Sequence, residues 1–91
     1  MEFIIIDGRR MTSIETTHAY LAKALRLPDY YGHNLDALHD CLTDLPNSVW
    51  IILINGDMMD EALGEYAGKL RLVFTEACNL PYSCHFTEHL F

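Results

Sequence analysis

Two short apolar runs, each closed by turn residues, stand out in the hydrophobic pattern of the chain. They are residues 3–6 (Phe-Ile-Ile-Ile) and residues 49–54 (Val-Trp-Ile-Ile-Leu-Ile). Continuous apolar runs of this length are typical of strands that are buried on both faces, as in a parallel sheet. We therefore predict two buried strands, with the first of them, the more apolar, at the centre of the sheet.

Helical spacing of apolar residues follows the first strand. Ile14, Leu21 and Leu25 recur at this spacing and predict an amphipathic helix over residues 13–26. Thr12 and Glu15 have the spacing of a capping box at its start, and a proline at position 28 ends it. His18 falls near the apolar stripe, which favours a half-buried structural histidine.

A second amphipathic helix is predicted over residues 34–44. Leu35, Leu38 and Leu42 share one of its faces, with Cys41 on the flank and His39 at the edge. An asparagine at position 34 is a favourable N-cap. This helix should bury its leucines in the core.

The remainder of the chain predicts two more helices and a last strand. A short helix should follow Asn55, with Asp57 near its cap, and a longer one should cover residues 65–78. Residues 82–90 mix β-formers with polar residues and are typical of a strand. The order β-α-α-β-α-α-β predicts one α/β domain over residues 1–91, with a small three-stranded parallel sheet and about four helices.

Charge is distributed unevenly along the chain. The net charge is −7, but residues 27–68 contain eight acidic residues and no lysine or arginine. This distribution argues against direct binding of nucleic acid, which needs clustered basic side chains. It favours a basic protein partner, although solubility alone would also explain acidity.

The second helix carries an unusual acidic stripe. Asp36, Asp40 and Asp44 repeat every four residues and should point away from the core together with Ala37. Such pairs repel by roughly 0.2–0.5 kcal/mol each, and no basic residue four positions away relieves them. With two tyrosines and a glycine at positions 30–32 ahead of the helix, the pattern indicates a surface for protein recognition.

Catalysis and metal binding are the competing interpretations. His33, His39 and the aspartates would project from a convex helix face, and no nucleophile, phosphate loop or triad accompanies them. The dipeptides 84–85 (Cys-His) and 88–89 (Glu-His) add ligand types, but alternation along a strand separates them. We therefore expect neither an enzyme nor a bound cofactor or metal. A metal- or pH-responsive module built on these histidines and aspartates remains an alternative.

The cysteines, the first residues and the length of the apolar runs together predict the cellular compartment. Three cysteines lack metal-like spacing, the first residues do not form a signal peptide, and the apolar runs are too short to span a membrane. We expect a cytoplasmic protein with reduced thiols.

Residues 27–43 closely resemble the signature segment of the barstar family, the intracellular inhibitors of the ribonuclease barnase. The resemblance includes the run Tyr-Tyr-Gly-His-Asn-Leu-Asp-Ala-Leu at positions 30–38 and is colinear, though weaker, across the rest of the chain. It implies a barstar-like fold and an inhibitor that blocks a ribonuclease active site by mimicking RNA phosphates. It also implies a basic nuclease as partner, bound 1:1 by a chain that is monomeric when free. Barstar-like proteins pair with different toxins, so an immunity protein against another nuclease is a second possibility.

The resemblance also implies individual roles at the partner surface. Asp40 matches the central inhibitory aspartate, Asp36 a second carboxylate that pairs with an active-site cation, and Tyr30 the tyrosine that packs over the catalytic histidine. Other matched residues line the contact or lie at its edge. The complete set of implied contact residues is Tyr30, Gly32, Asn34, Leu35, Asp36, His39, Asp40, Thr43 and Glu76.

Three departures from the family pattern surround this set. His33 stands where the family has a glutamate, His39 where it has a tryptophan, and residues 44–45 (Asp-Leu) replace a Gly-Trp pair. The resemblance therefore implies a target that is related to barnase but not identical to it.

Overall fold

The computed structural model describes residues 1–89 and contains a three-stranded parallel sheet. Its strands are β1 (Glu2–Asp7), β2 (Val49–Ile54) and β3 (His85–Glu88). They lie in the order β1-β2-β3, so the second strand is central. The prediction of a central first strand was wrong. Both crossovers advance in the same direction, which leaves β1 at one edge.

Within the described residues 1–89, only one face of the sheet is covered. Along β1, Ile6 is fully buried, whereas Phe3 and Ile5 are 61% and 58% exposed. The same alternation continues in β2, where Ile51 and Leu53 are buried and their neighbours are half-buried. Burial of the first strand on both faces was therefore predicted incorrectly. A continuous apolar run does not by itself show whether one or both faces of a strand are buried.

Four α-helices connect the strands, as predicted. They are α1 (Ile14–Ala24), α2 (Leu35–Thr43), α3 (Gly56–Leu63) and α4 (Glu65–Ala77). None of the helices among residues 1–89 is long and apolar enough to cross a membrane.

Two local details differ from the sequence expectations. The cap of α1 is Ser13, whose hydroxyl accepts the Thr16 N–H at 3.1 Å, so the expected capping box of Thr12 and Glu15 was wrong. The last strand is shorter than predicted, because the Ser83 N–H donates to the Leu80 carbonyl at 3.2 Å and turns the chain. The part of that prediction at position 90 lies outside the described residues.

The core lies between the sheet and the helices. Ile6, Leu38, Leu42, Leu70 and Phe74 are among its buried members, and α2 packs against α4. Burial of each such side chain stabilises the fold by about 1.5–3 kcal/mol. The α2–α4 contact holds the leucine face of α2 inward, and this fixes which of its residues face solvent.

The turns after β1 and β2 are packed against each other. A Cβ added at Gly8 would lie 2.0 Å from the carbonyl oxygen of Asn55, closer than any side chain tolerates. Asp7 accepts a hydrogen bond from the Asn55 amide at 3.0 Å across the same contact. Only glycine therefore allows these two turns to meet.

Candidate protein-binding surface

The start of α2 is tied to the loop that precedes it by Asn34. Its side-chain oxygen accepts the Ala37 N–H at 2.8 Å, which confirms the predicted N-cap. Its side-chain nitrogen donates to the Gly32 carbonyl at 3.1 Å. One amide group therefore fixes the helix start and the path of the loop together.

The two faces of α2 divide as the apolar spacing predicts. Leu38 and Leu42 are fully buried, while Leu35 is half-buried. The intermediate exposure of His39 and Cys41 places both residues at the boundary. Ala37 was expected to point away from the core, but it is half-buried and packs against it. It lies on the side of α2 next to the loop, where Gly32 approaches it.

The acidic stripe faces solvent. Asp36, Asp40 and Asp44 are all exposed, and none of them takes part in an ion pair among residues 1–89. Thr43 donates its hydroxyl to the Asp40 carbonyl at 2.7 Å, so this side chain is turned toward the helix backbone. The three carboxylates therefore remain available to a ligand outside the chain.

The two tyrosines of the loop have opposite roles in the structure. Tyr30 is 83% exposed, whereas Tyr31 is 6% exposed and belongs to the core. The Tyr31 hydroxyl lies 2.5 Å from the Nδ1 atom of His18 on α1. Tyr31 thus anchors the loop, and this leaves Tyr30 projecting into solvent from a fixed backbone.

His18 is fully buried, not half-buried as predicted. Its Nε2 atom lies 2.7 Å from the hydroxyl of Tyr66 on α4, so both ring nitrogens are hydrogen-bonded. A neutral imidazole, with one donor and one acceptor, satisfies both contacts. Burial lowers the pKa of His18 below its ordinary value, and the nearby His33 lowers it further.

Tyr66 is a residue of this region that the sequence analysis did not single out. It lines an open depression of about 450 Å³ together with Asn34, Leu35 and Asp36. Its contact with His18 joins positions 48 residues apart. A hydrogen bond between residues so far apart leaves no pattern in the local sequence. Helical spacing indicates only that Tyr66 faces the core side of α4.

Most of the predicted contact residues lie on two consecutive segments of the chain, the loop and α2, which together are called the patch. The loop supplies Tyr30, Gly32 and Asn34, and α2 supplies the remainder apart from Glu76. Glu76 is exposed on α4, the helix that packs beside α2. His33 is exposed next to the patch with a φ of 54°, and its ring lies 5.1 Å from that of Tyr31.

The metal-binding alternative finds no site among residues 1–89. No group of three or more histidine, cysteine, aspartate or glutamate side chains is placed to hold an ion there. Cys84 is fully buried, and Glu88 pairs with Arg71 at 2.8 Å. His85 stacks on Trp50 with ring centroids 4.2 Å apart. Cys84, His85 and Glu88 therefore lie in three different environments and do not form one ligand set.

The fold and this patch define a class of protein: a small α/β domain with an acidic helix face and an exposed tyrosine in the loop before that helix. The sequence model of the Barstar family, described as barstar (barnase inhibitor), matches residues 1–83. The chain belongs to the Barstar family. It is thus a member of a family of inhibitors and not of enzymes, and the predicted family and α/β fold are confirmed.

A curated relative agrees with this assignment. The protein named "Putative ribonuclease inhibitor YrdF" of Bacillus subtilis (strain 168) is 48% identical over 80 residues, which cover 85% of this chain and 86% of that protein. The similarity therefore extends well beyond the signature segment that suggested the family.

Proposed function

We propose that the chain inhibits a barnase-type ribonuclease by inserting the acidic face of α2 into the active site of the enzyme. Family membership and the name of the 48% identical relative support an inhibitor of this kind. The structural observation that carries the proposal is the pair Asp36 and Asp40, exposed one turn apart and without cationic partners in the described chain.

The chemistry of a ribonuclease explains why carboxylates would block it. An enzyme that binds RNA phosphates presents arginine, lysine and histidine side chains in its cleft. A carboxylate accepts short, charge-assisted hydrogen bonds from the same donors. In this proposal Asp40, which matches the central inhibitory aspartate of the family, occupies the central phosphate position, and Asp36 pairs with a second cation.

Tyr30 would supply the apolar part of the contact. An aromatic side chain buries a large area and loses little conformational entropy on binding. Its backbone is already fixed, because Tyr31 is anchored in the core and Asn34 holds Gly32. A loop that is ordered before binding reduces the entropic cost of association.

The periphery of the patch would select the particular target. We propose that Leu35, His39 and Thr43 contact the enzyme around the two central aspartates, with Glu76 reaching a basic residue at the edge. His33, His39 and Asp44 stand at positions where this chain leaves the family pattern. They favour a ribonuclease related to barnase but with a different rim.

The biological role follows from the same chemistry. We propose that the protein is cytoplasmic and, as a monomer that binds 1:1, protects its own cell from the nuclease. The unneutralised acidic surface supports a basic enzyme as the partner, since complementary charge accelerates association.

Capture of the partner tests the proposal directly. The chain and its Asp40→Ala variant are used as baits in extracts of the source organism, and captured proteins are assayed for cleavage of RNA and of DNA. Glu61→Ala removes one exposed charge from α3 and is the matched control. We expect wild type and Glu61→Ala, but not Asp40→Ala, to retain a ribonuclease and suppress its activity. Capture of an enzyme that cleaves only DNA would instead identify an immunity protein against another nuclease.

A further inference from the structure

Two of the three cysteines lie side by side beneath the helices. Cys78 follows the last residue of α4, and Cys84 precedes β3. Their sulfur atoms are 3.0 Å apart, and the two residues are 1% and 0% exposed. The third cysteine, Cys41, lies on α2 and is partly exposed.

The backbone holds this pair together independently of the sulfur atoms. The N–H of Asn79 donates to the Cys84 carbonyl at 2.8 Å, and the Asn79 side chain accepts the Phe86 N–H at 2.9 Å. The five residues between the cysteines form a turn whose first four members are exposed. A disulfide has a sulfur–sulfur distance of about 2.05 Å, so a shift of about 1 Å joins the pair.

We propose that Cys78 and Cys84 form a reversible disulfide by exchange with a low-molecular-weight disulfide such as oxidised glutathione. The inference does not depend on the proposed inhibition of a nuclease. It differs from the sequence expectation of reduced thiols, because it makes the state of this pair depend on the surrounding thiol–disulfide pool.

The exchange takes place in two steps that balance. When the exposed turn at residues 79–82 opens, one cysteine thiolate attacks the small disulfide, breaks its S–S bond and releases one small thiolate, leaving a mixed disulfide on the protein. The second cysteine then attacks the protein sulfur of the mixed disulfide, closes the Cys78–Cys84 bond and releases the second small thiolate. The two protons of the cysteines end on the two released small thiols, and the small disulfide is the species reduced.

The hydrogen bond between the two sulfur atoms favours Cys84 as the first nucleophile. Cys84 has a lowered pKa because the neighbouring Cys78 donates to its sulfur, and that contact raises the pKa of Cys78. By contrast, burial and the charges of Asp44 and Asp40 raise the pKa of Cys41. Cys84 is therefore the better thiolate, and Cys41 is the poorer competitor.

Oxidation would leave α2 in place. The Cys84 thiol lies 3.6 Å from the Leu42 carbonyl on that helix, and this weak contact is lost when the disulfide forms. The same carbonyl still accepts the Leu45 N–H at 3.1 Å. The disulfide would thus join the end of α4 to β3 and stabilise the fold without altering the acidic face.

The test is thiol counting on the full chain after incubation with oxidised or reduced glutathione. After quenching with an alkylating reagent in denaturant, which exposes the two buried cysteines, we expect the reduced sample to take up three labels. The oxidised sample should take up one label, on Cys41, and its mass before labelling should be about 2 Da lower. We also expect its Tm to be higher by on the order of 5–10 °C, and reduction should reverse every change.

Two variants make the assignment specific. Cys41→Ser should still lose two thiols on oxidation, whereas Cys78→Ser should be unable to form an internal link between the remaining cysteines. Circular dichroism confirms that each variant is folded. Three alkylated cysteines after oxidised glutathione, or a disulfide that includes Cys41, would overturn the inference.

Discussion

His18 on α1 and Tyr31 in the loop before α2 are joined by a buried hydrogen bond of 2.5 Å between the imidazole Nδ1 and the phenol oxygen. The bond links the loop to an element that contributes nothing to the proposed contact surface. Because the other imidazole nitrogen binds Tyr66, the same ring connects α1, the loop and α4. The position of the exposed Tyr30 is therefore fixed by the buried hydrogen bonds that His18 makes with Tyr31 and Tyr66.

Removal of the Tyr31 hydroxyl should destabilise the protein. Tyr31→Phe leaves a nitrogen of the fully buried His18 without its partner, which typically costs about 1–3 kcal/mol. Urea denaturation measures the change in the free energy of unfolding. Tyr30→Phe is the matched control, and because Tyr30 is 83% exposed we expect its effect to stay within about 0.5 kcal/mol. Equal effects of the two variants would contradict the anchoring role of Tyr31.

Acidification should weaken the fold through His18. Burial, followed by the proximity of His33, holds the pKa of His18 below its ordinary value of 6.5. The unfolded chain therefore takes up a proton as the pH falls through 6.5, while the folded chain resists it, so stability decreases with falling pH. The other ionisable groups that face the ring are the phenols of Tyr31 and Tyr66, and burial raises both of their pKa values. Both phenols therefore stay neutral throughout this range.

Two measurements check this pH dependence. Urea midpoints should fall between pH 8 and pH 5.5, and the His18 ring resonances should titrate below 6.5 in nuclear magnetic resonance spectra. A His18 resonance that titrates at or above 6.5 would mean that the buried neutral ring does not account for the loss of stability.

Truncation of Asp40 should remove a large part of the binding free energy. Asp40→Ala would leave cations of the nuclease buried and unpaired, and we expect a loss of about 2 kcal/mol or more. Isothermal titration calorimetry with the captured ribonuclease measures it. The control Glu61→Ala makes the same change of charge on α3 and should cost less than about 1 kcal/mol. A similarly small loss for Asp40→Ala would remove it from the centre of the contact.

Salt should slow association with the partner. The acidic residues between positions 27 and 68 provide a field of one sign, and ions screen it over roughly 10 Å at 0.1 M salt. We expect the association rate constant in stopped-flow experiments to fall about tenfold or more between ~50 mM and ~500 mM salt. The dissociation rate should change much less. An association rate that is independent of salt would refute electrostatic steering.

Substitution of Gly8 should be costly although Gly8 is not one of the proposed contact residues. An added Cβ would meet the Asn55 carbonyl oxygen at 2.0 Å, and overpacking of this kind costs about 1–3 kcal/mol. Gly68→Ala on α4 is the control, because a Cβ there meets nothing within 4 Å. That variant should stabilise the protein by about 0.5–1 kcal/mol, since alanine favours a helix over glycine. Chemical denaturation of both variants should give shifts of opposite sign.

The parts of the structure that the sequence predicted well are those fixed by local interactions. α2 and its Asn34 cap depend on contacts three or four residues apart, and these leave a clear pattern. The edge position of β1 depends on the order of the strands, and the exposure of Phe3 depends on which layers cover the sheet. Neither can be predicted from a short segment of sequence. The division of labour between Tyr30 and Tyr31 likewise depends on His18, which is 13 residues from Tyr31 along the chain.

The stacking of Trp50 on His85 also determines what the tryptophan fluorescence of the protein measures. Trp50 is the single tryptophan of the chain, and it pairs with Phe3 on the face of the sheet opposite the buried residues of β2. None of the proposed contact residues is a tryptophan, so the intrinsic tryptophan emission depends on the integrity of the sheet. Titration with a nuclease should therefore be monitored through a label on the loop or through the fluorescence of the partner. The emission of Trp50 then serves as an internal check that the inhibitor has remained folded.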